Sequence, residues 1–129
     1  MRKIVIDTSI FIEQIRTGRG VLTQLVAQAP EDVLLIIPTI VIYELYAGLS
    51  MAKENVRVRV NDMYKDQERI DLDERIAEKA GKLKREKYVD GNDAVIAATT
   101  LLCADYLATL NVKHFAKVPG LKLWKPSQK

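Results

Sequence analysis

Two short, wholly apolar runs narrow the possible folds of this chain more than any other part of its sequence. Residues 4–6 form a β-branched run that stops at Asp7, and residues 33–37 form an uninterrupted apolar run that stops at Pro38. Runs of this kind are typical of strands that are covered on both faces, as in parallel sheets. Apolar residues at helical spacing follow each run, so the sequence predicts helices packed on a sheet.

The rest of the chain continues this alternation. Helices are predicted over 21–29, 40–51, 53–65 and 94–104, and further strands at 69–70, 106–108 and 121–124. Asp71 and Glu74 have the spacing of a capping box for a helix that includes Leu72. Because domains commonly hold about 100–150 residues, we expect residues 1–129 to form one α/β domain. Its predicted architecture has three layers, with a parallel central β-sheet flanked by helices.

Composition narrows the cellular setting and the partners. Cys103 is the only cysteine, which excludes an internal disulfide and a zinc cluster built from several cysteines and fits the reducing cytoplasm. The apolar stretch before Asp7 is too short for a signal peptide, and no later run is long enough to span a bilayer. We therefore expect a cytoplasmic protein with no membrane partner. The net charge of +3 permits a nucleic-acid partner without requiring one.

Three acidic residues occupy positions where a surface role does not fully account for them. Asp7 follows the first strand, where it can also cap a helix. Glu44 shares a helical stripe with Val41 and Leu45, so its carboxylate needs either a cationic partner or a bound metal. Asp93 begins an almost wholly apolar helix, where an acid also favours the helix dipole.

In open parallel sheets, functional sites lie outside the carboxyl ends of the strands. Acids that converge there repel one another, and a divalent cation relieves this repulsion. Oxygen ligands with few imidazoles favour Mg²⁺ or Mn²⁺ over zinc. Such an ion can polarise a phosphodiester and activate water, so the pattern indicates a nuclease.

Four motifs in this order resemble those of PIN-domain ribonucleases. They are Ile-Val-Ile-Asp-Thr-Ser at 4–9, Ile-Tyr-Glu-Leu at 42–45, Asp-Ala-Val-Ile-Ala-Ala-Thr at 93–99 and Thr-Leu-Asn-Val-Lys-His-Phe at 109–115. The resemblance covers nearly the whole chain. The size of the chain is similar to that of VapC-type toxins of toxin–antitoxin pairs.

This resemblance implies a PIN-like fold, cleavage of RNA with Mg²⁺ or Mn²⁺, a homodimer, and a protein antitoxin that blocks the site. It implies that Asp7, Glu44 and Asp93 are the catalytic and metal-binding acids, with Thr8 or Ser9 at the position of a supporting hydroxyl.

Further residues beside these acids are candidates for supporting roles. The fourth metal-site position of the family falls on Asn111, where many members have an acid. An ordinary turn residue is at least as good an interpretation of Asn111 as a metal ligand. Thr109 precedes it, and Asp90 is a reserve ligand three residues before Asp93. His114 is interpreted as a surface or packing residue.

Two other functions remain open on the sequence. A phosphatase with an aspartyl nucleophile at Asp7 usually has a second acid two residues later, where this chain has Ser9. A non-catalytic PIN-like module that binds RNA or protein would gain nothing from mutually repelling buried acids. Clusters of basic residues at 53–59, 82–87 and 113–117 are either solvated helix faces or contacts for phosphates.

Overall fold

The structure, a computed structural model, describes residues 1–29 and 31–125. The strands in this part of the chain are β1 (Arg2–Ile6), β2 (Val33–Pro38), β3 (Glu68–Ile70) and β4 (Tyr106–Ala108). The α-helices are α1 (Thr8–Thr17), α2 (Val21–Gln28), α3 (Thr39–Ala47), α4 (Glu54–Tyr64), α5 (Glu74–Arg85), α6 (Gly91–Cys103) and α7 (Val112–Phe115). A 3₁₀ helix (Leu49–Ala52) joins α3 to α4.

The four strands form one parallel sheet in the order β3-β2-β1-β4. Val5 pairs with Ile36 of β2, and Ile6 pairs with Ala108 of β4. The carboxyl ends of β1, β2 and β4 therefore lie along the same edge of the sheet. This confirms the predicted α/β fold with a parallel central sheet flanked by helices.

The central strands are covered on both faces. Ile4, Val5 and Ile6 are fully buried, and so is Ile37 of β2. Burying an aliphatic side chain of this size contributes roughly 1.5–3 kcal/mol. This explains why both strands read as continuous apolar runs. Among the described residues, no helix is both long and apolar enough to cross a membrane.

The capping box predicted at Asp71 is wrong. The N-cap of α5 is Asp73, whose Oδ1 accepts a hydrogen bond of 2.9 Å from the backbone N–H of Ile76. Leu72 lies before the helix and is 47% exposed. Asp73 is adjacent to the first helical residue, so its side chain reaches the free N–H groups that the side chain of Asp71 does not cap.

Two other predicted elements are shorter than the sequence indicated. The helix expected over 40–51 ends at Ala47, and Gly48 separates it from the 3₁₀ helix. The strand expected over 121–124 is reduced to one parallel bridge between Leu107 and Leu123. Met51 in the first segment and Leu121, Leu123 and Trp124 in the second still pack against the core, which is why their patterns suggested longer elements.

Candidate active site

The candidate site lies at the carboxyl edge of the sheet. Asp7 immediately follows β1, and Thr109 immediately follows β4. Glu44 lies in α3, which begins directly after β2, and Asp93 lies in the first turn of α6. Residues that are far apart in the sequence are thus brought together by the parallel topology.

Asp7 is 2% exposed, and neutral donors surround one of its carboxylate oxygens. Its Oδ2 accepts hydrogen bonds from the hydroxyls of Ser9 at 2.6 Å and Thr109 at 2.7 Å. The backbone N–H of Ser9 adds a longer bond of 3.4 Å, which makes Asp7 the N-cap of α1. No hydrogen bond from the described residues goes to Oδ1, so this is the oxygen that is left for a ligand.

The two hydroxyls that hold Asp7 are themselves fixed by the chain after β4. The Ser9 hydroxyl accepts a hydrogen bond of 2.9 Å from the backbone N–H of Leu110. The Thr109 hydroxyl accepts one of 2.9 Å from the backbone N–H of Asn111. Because each hydroxyl accepts from the backbone and donates to Asp7, the carboxylate is held in one orientation.

Glu44 is partly buried and has two neutral partners. Its Oε1 accepts a hydrogen bond of 2.6 Å from the hydroxyl of Thr8, and its Oε2 accepts one of 3.1 Å from the side-chain amide of Asn92. No lysine or arginine among the described residues forms a salt bridge with it. Of the two alternatives that the sequence left open for Glu44, the described residues therefore do not supply the cationic partner.

The negative charges of Asp7 and Glu44 affect the ionisation of Asp93. Burial raises the pKa of its carboxyl above the ordinary value of 3.8, and the negative charges of Asp7 and Glu44 raise this pKa further. His114 opposes them and lowers the pKa of Asp93. Nδ1 of His114 lies 3.8 Å from Oδ2 of Asp93. This distance is too long for a hydrogen bond, and the contact is an ion pair when the imidazole is protonated.

The chemistry of these donors fits a hard divalent cation. All three acids offer oxygen, and the repulsion felt by Asp93 is the kind that a bound cation relieves. Within residues 1–29 and 31–125, no three acidic, histidine or cysteine side chains are already gathered as a metal-binding group. Holding an ion at this edge therefore requires the carboxylates to turn toward it.

The predicted supporting residues divide into two groups. Thr8, Ser9 and Thr109 hydrogen-bond directly to the acids. Asn111 is exposed at the N-cap of α7, and its side chain makes no capping hydrogen bond there.

Asp90 lies away from the hydrogen bonds around Asp7. It caps α6 by accepting a 2.7 Å bond from the backbone N–H of Gly91, and its Oδ1 lies 3.5 Å from Lys84 Nζ. Its side chain is 81% exposed. In this conformation Asp90 acts as a helix cap with a surface ion pair, and the reserve-ligand role stays a prediction.

The sequence interpretation missed one residue of the site, Asn92. Its amide is the second partner of Glu44, and it directly precedes Asp93 in the first turn of α6. Its position beside an acid at a helix start was visible in the sequence, but its pairing with α3 was not.

Comparison with known proteins identifies the fold. A sequence profile of the PIN domain matches residues 4–121. Among curated protein sequences, none matches this chain with significance.

Solved structures share the same architecture. A chain of VapBC2 from Rickettsia felis, bound to a DNA fragment from its promoter, has a TM-score of 0.83 and 23% identity, over 95% of this chain and 99% of that one. A chain of DNA-bound VapBC from Salmonella typhimurium has a TM-score of 0.82 and 23% identity, over 96% and 98%. A toxin–antitoxin complex from Klebsiella pneumoniae contributes a chain with a TM-score of 0.71 and 26% identity, over 92% and 94%.

These similarities agree with the resemblance found in the sequence motifs. The profile spans all four strands except the first residues of β1, together with the three acids at the sheet edge. This chain belongs to the PIN domain family.

Proposed function

We propose that this chain is a metal-dependent endoribonuclease that acts as the VapC-type toxin of a toxin–antitoxin pair. It hydrolyses phosphodiester bonds of RNA with Mg²⁺ or Mn²⁺. The observation that carries the proposal is the placement of Asp7, Glu44 and Asp93 at one sheet edge, where the first two raise the pKa of the third. Mutual repulsion between partly buried acids has no benefit for folding, and it is useful in a site that binds a cation.

Each residue of the site has a distinct task in this proposal. Asp7, Glu44 and Asp93 hold the ion, which when bound polarises the phosphodiester and lowers the pKa of water. Ser9 and Thr109 fix Oδ2 of Asp7, so that Oδ1 stays turned to the ligand. Thr8 and Asn92 keep Glu44 extended toward the same edge. These hydroxyl and amide partners orient the acids without neutralising their charge.

The hydrogen bonds of Ser9 disfavour the phosphatase alternative. An aspartyl nucleophile of that kind usually has a second acid two residues later, and here that position is Ser9, whose hydroxyl donates to Oδ2 of Asp7 and is not a carboxylic acid. The non-catalytic alternative predicts that the acids can be neutralised without loss of function. Purified protein should cleave RNA when Mg²⁺ or Mn²⁺ is added and should stop when EDTA removes the ion. RNA binding without any metal-dependent cleavage would favour the non-catalytic module.

The antitoxin part of the proposal rests on the similar structures and on one groove. The similar chains come from VapBC and other toxin–antitoxin complexes. A groove of about 590 Å³ lies between α2, β2 and α4, and is lined by apolar residues such as Leu22, Val26 and Met63. Gln67 Oε1 is buried there with no hydrogen-bond partner among the described residues. We infer that an amphipathic antitoxin helix places its apolar face in this groove.

The acids also suit a cationic side chain of the antitoxin. An arginine that reaches Asp7, Glu44 and Asp93 would occupy the space and replace the charge of the ion. Stoichiometric complex formation should therefore stop cleavage. A complex that still cleaves RNA at the full rate would exclude direct blockade of the site.

The homodimer has a separate surface in this proposal. Tyr43 is 62% exposed on α3, and Leu49 is 95% exposed on the following 3₁₀ helix. Tyr46, on the same helix as Tyr43, is 40% exposed, and we propose that a second copy of the chain covers these side chains. We further propose that residues 1–129 act as one domain in the cytoplasm, where Cys103 stays reduced.

A further inference from the structure

A second feature of the site is a cleft on the outer side of Asp93. Its volume is about 460 Å³, and it lies between the end of α5, the start of α6 and the end of α7. Six of the residues that line it can carry charge: Lys84, Lys87, Lys117, His114, Asp90 and Asp93. Of Asp7, Glu44 and Asp93, only Asp93 lines this cleft, so Asp93 belongs both to the cleft and to the candidate active site.

Two of the three lysines have no acidic partner. Lys84 Nζ lies 3.5 Å from Asp90, which balances its charge. Within the part of the chain that the structure describes, Lys87 and Lys117 make no salt bridge. Two uncompensated cations therefore border the cleft, beside an acid that a metal ion would neutralise.

The backbone of Lys87 is in a conformation that lysine rarely adopts. Its φ is 65°, and it is the one described non-glycine residue with positive φ. Its N–H donates to the carbonyl of Lys84, and the N–H of Tyr88 donates to the carbonyl of Leu83. These two bonds form a Schellman motif, in which the position of Lys87 is usually taken by glycine.

A lysine at such a position is unfavourable for the fold. The left-handed conformation is strained for a residue with a Cβ, and glycine relieves it. Strained residues are concentrated at functional sites, and Lys87 lines the cleft that also contains Asp93.

Another basic cluster of the chain has a different role. Arg57 donates hydrogen bonds to the carbonyls of Met51 and Ala52, at 2.8 and 3.0 Å. Arg59 donates to the carbonyl of Ile15 at 3.2 Å. These guanidinium groups join α4 to its neighbours, so Arg57 and Arg59 have structural roles, whereas Lys87 and Lys117 of the cleft make no salt bridge within the described residues.

We propose that the cleft is a phosphate subsite, in which Lys87 and Lys117 bind a phosphodiester of the RNA strand next to the one that is cleaved. This proposal rests on the proposed ribonuclease function and names its substrate-positioning residues. The two ammonium groups bind one phosphate, and Asp93 at the inner wall sets the distance from that phosphate to the bound ion. The strain at Lys87 is retained because glycine there would lose this contact.

The test separates stability from RNA binding. Lys87→Gly relieves the strain, and we expect its Tm to rise by about 3 °C. In an Asp7→Asn background that prevents cleavage, Lys87→Gly and Lys117→Ala should each weaken binding of a single-stranded RNA several-fold. The slope of log Kd against log salt should fall by about 0.7 for each lost contact. Lys82→Ala is the matched control, since it removes an exposed lysine of α5 that does not line the cleft.

A second measurement locates the contact on the RNA. In a series of RNAs that each carry one neutral methylphosphonate linkage, wild-type binding should weaken most when the neutral linkage lies at one particular position. Lys87→Gly should reduce this sensitivity, and the Lys87→Gly/Lys117→Ala double variant should abolish it. If wild type cleaves RNA but both lysine variants bind as the control does, the subsite is wrong and the ribonuclease proposal stands. If wild type neither binds nor cleaves RNA, the ribonuclease proposal is overturned and the subsite with it.

Discussion

The hydroxyl of Thr8 donates a hydrogen bond of 2.6 Å to Oε1 of Glu44 and so joins the start of α1 to the middle of α3. The two residues lie 36 positions apart in the sequence. A neutral donor at this place fixes the carboxylate and leaves its charge available.

Removing this hydroxyl should weaken metal binding without unfolding the protein. Thr8→Val keeps the shape of the side chain but releases Glu44, so we expect a roughly tenfold loss of Mn²⁺ affinity by calorimetric titration. Glu44→Gln removes the charge itself and should lose more. Thr23→Val is the control, because Thr23 is an exposed threonine with a similar hydroxyl bond to Gln14. Unchanged affinity in Glu44→Gln would make Glu44 a structural residue.

Asp7→Asn should separate activity from folding. The amide oxygen can accept the bonds of Ser9 and Thr109, so we expect a Tm close to that of wild type. Cleavage of RNA should fall roughly a hundredfold or more, since a metal ion supplies several kcal/mol of charge stabilisation. Loss of activity accompanied by unfolding would count against the assignment of Asp7 to the site.

The raised pKa of Asp93 predicts how stability depends on pH in metal-free buffer. Between the ordinary value of 3.8 and the higher pKa of the folded state, the folded protein binds more protons than the unfolded chain. The stability of wild type therefore falls as pH rises through this interval. Asp93→Asn carries no charge, so it should be more stable than wild type near neutral pH and lose this advantage as pH approaches 3.8.

Denaturant unfolding at several pH values measures this difference. Asp62→Asn is the control, because Asp62 is 60% exposed and pairs with Lys65 on the surface of α4. An advantage of Asp93→Asn that is the same at every pH would contradict the proposed repulsion.

Asn111 should decide how many ions bind. An amide oxygen can ligate a metal but adds no negative charge, so we expect one ion to bind clearly and a second only with RNA phosphate present. Asn111→Asp should tighten the second site, and Asn111→Ala should slow cleavage without abolishing the first. Manganese titrations of the three proteins, with and without a non-cleavable RNA, test this. Two equally tight ions in free wild type would contradict it.

A substitution in the groove between α2 and α4 should weaken antitoxin binding and leave catalysis unchanged. Val26 is 51% exposed in this groove, and Val26→Glu would bury a charge under the antitoxin helix. We expect at least roughly tenfold weaker binding of the proposed antitoxin, with unchanged RNA cleavage. Val58→Glu is the matched control, since Val58 is 54% exposed on α4 and does not line the groove. Equal binding by both variants would place the antitoxin elsewhere.

Elements whose sequence pattern reflects burial were predictable. Residues 4–6 and 33–37 have apolar neighbours on both faces, and their runs predicted β1 and β2. Capping depends on which side chain reaches the free N–H groups of the folded helix. The spacing of Asp71 and Glu74 therefore predicted the wrong cap, and Asp73 caps α5.

Some residues of the site were also predictable from the sequence, and others were not. Asp7 and Asp93 were predictable because the sequence placed Asp7 after a strand and Asp93 at the start of a helix, where acids are candidates for a functional site. The partners of Glu44 were not predictable, because Thr8 and Asn92 meet it only after three helices pack together. Polar contacts between distant residues leave no periodic pattern in a sequence.

The hydrogen bond from Thr109 to Asp7 spans 102 positions and ties the first strand to the last. A polypeptide that is still being synthesised lacks this bond until residue 109 has been added and has emerged to fold. Prematurely terminated products that end before α6 lack Asp93, and products that end before residue 109 lack one of the two hydroxyls that hold Asp7. For a protein proposed to destroy RNA, this order of assembly means that the site is not complete until residue 109 has been translated.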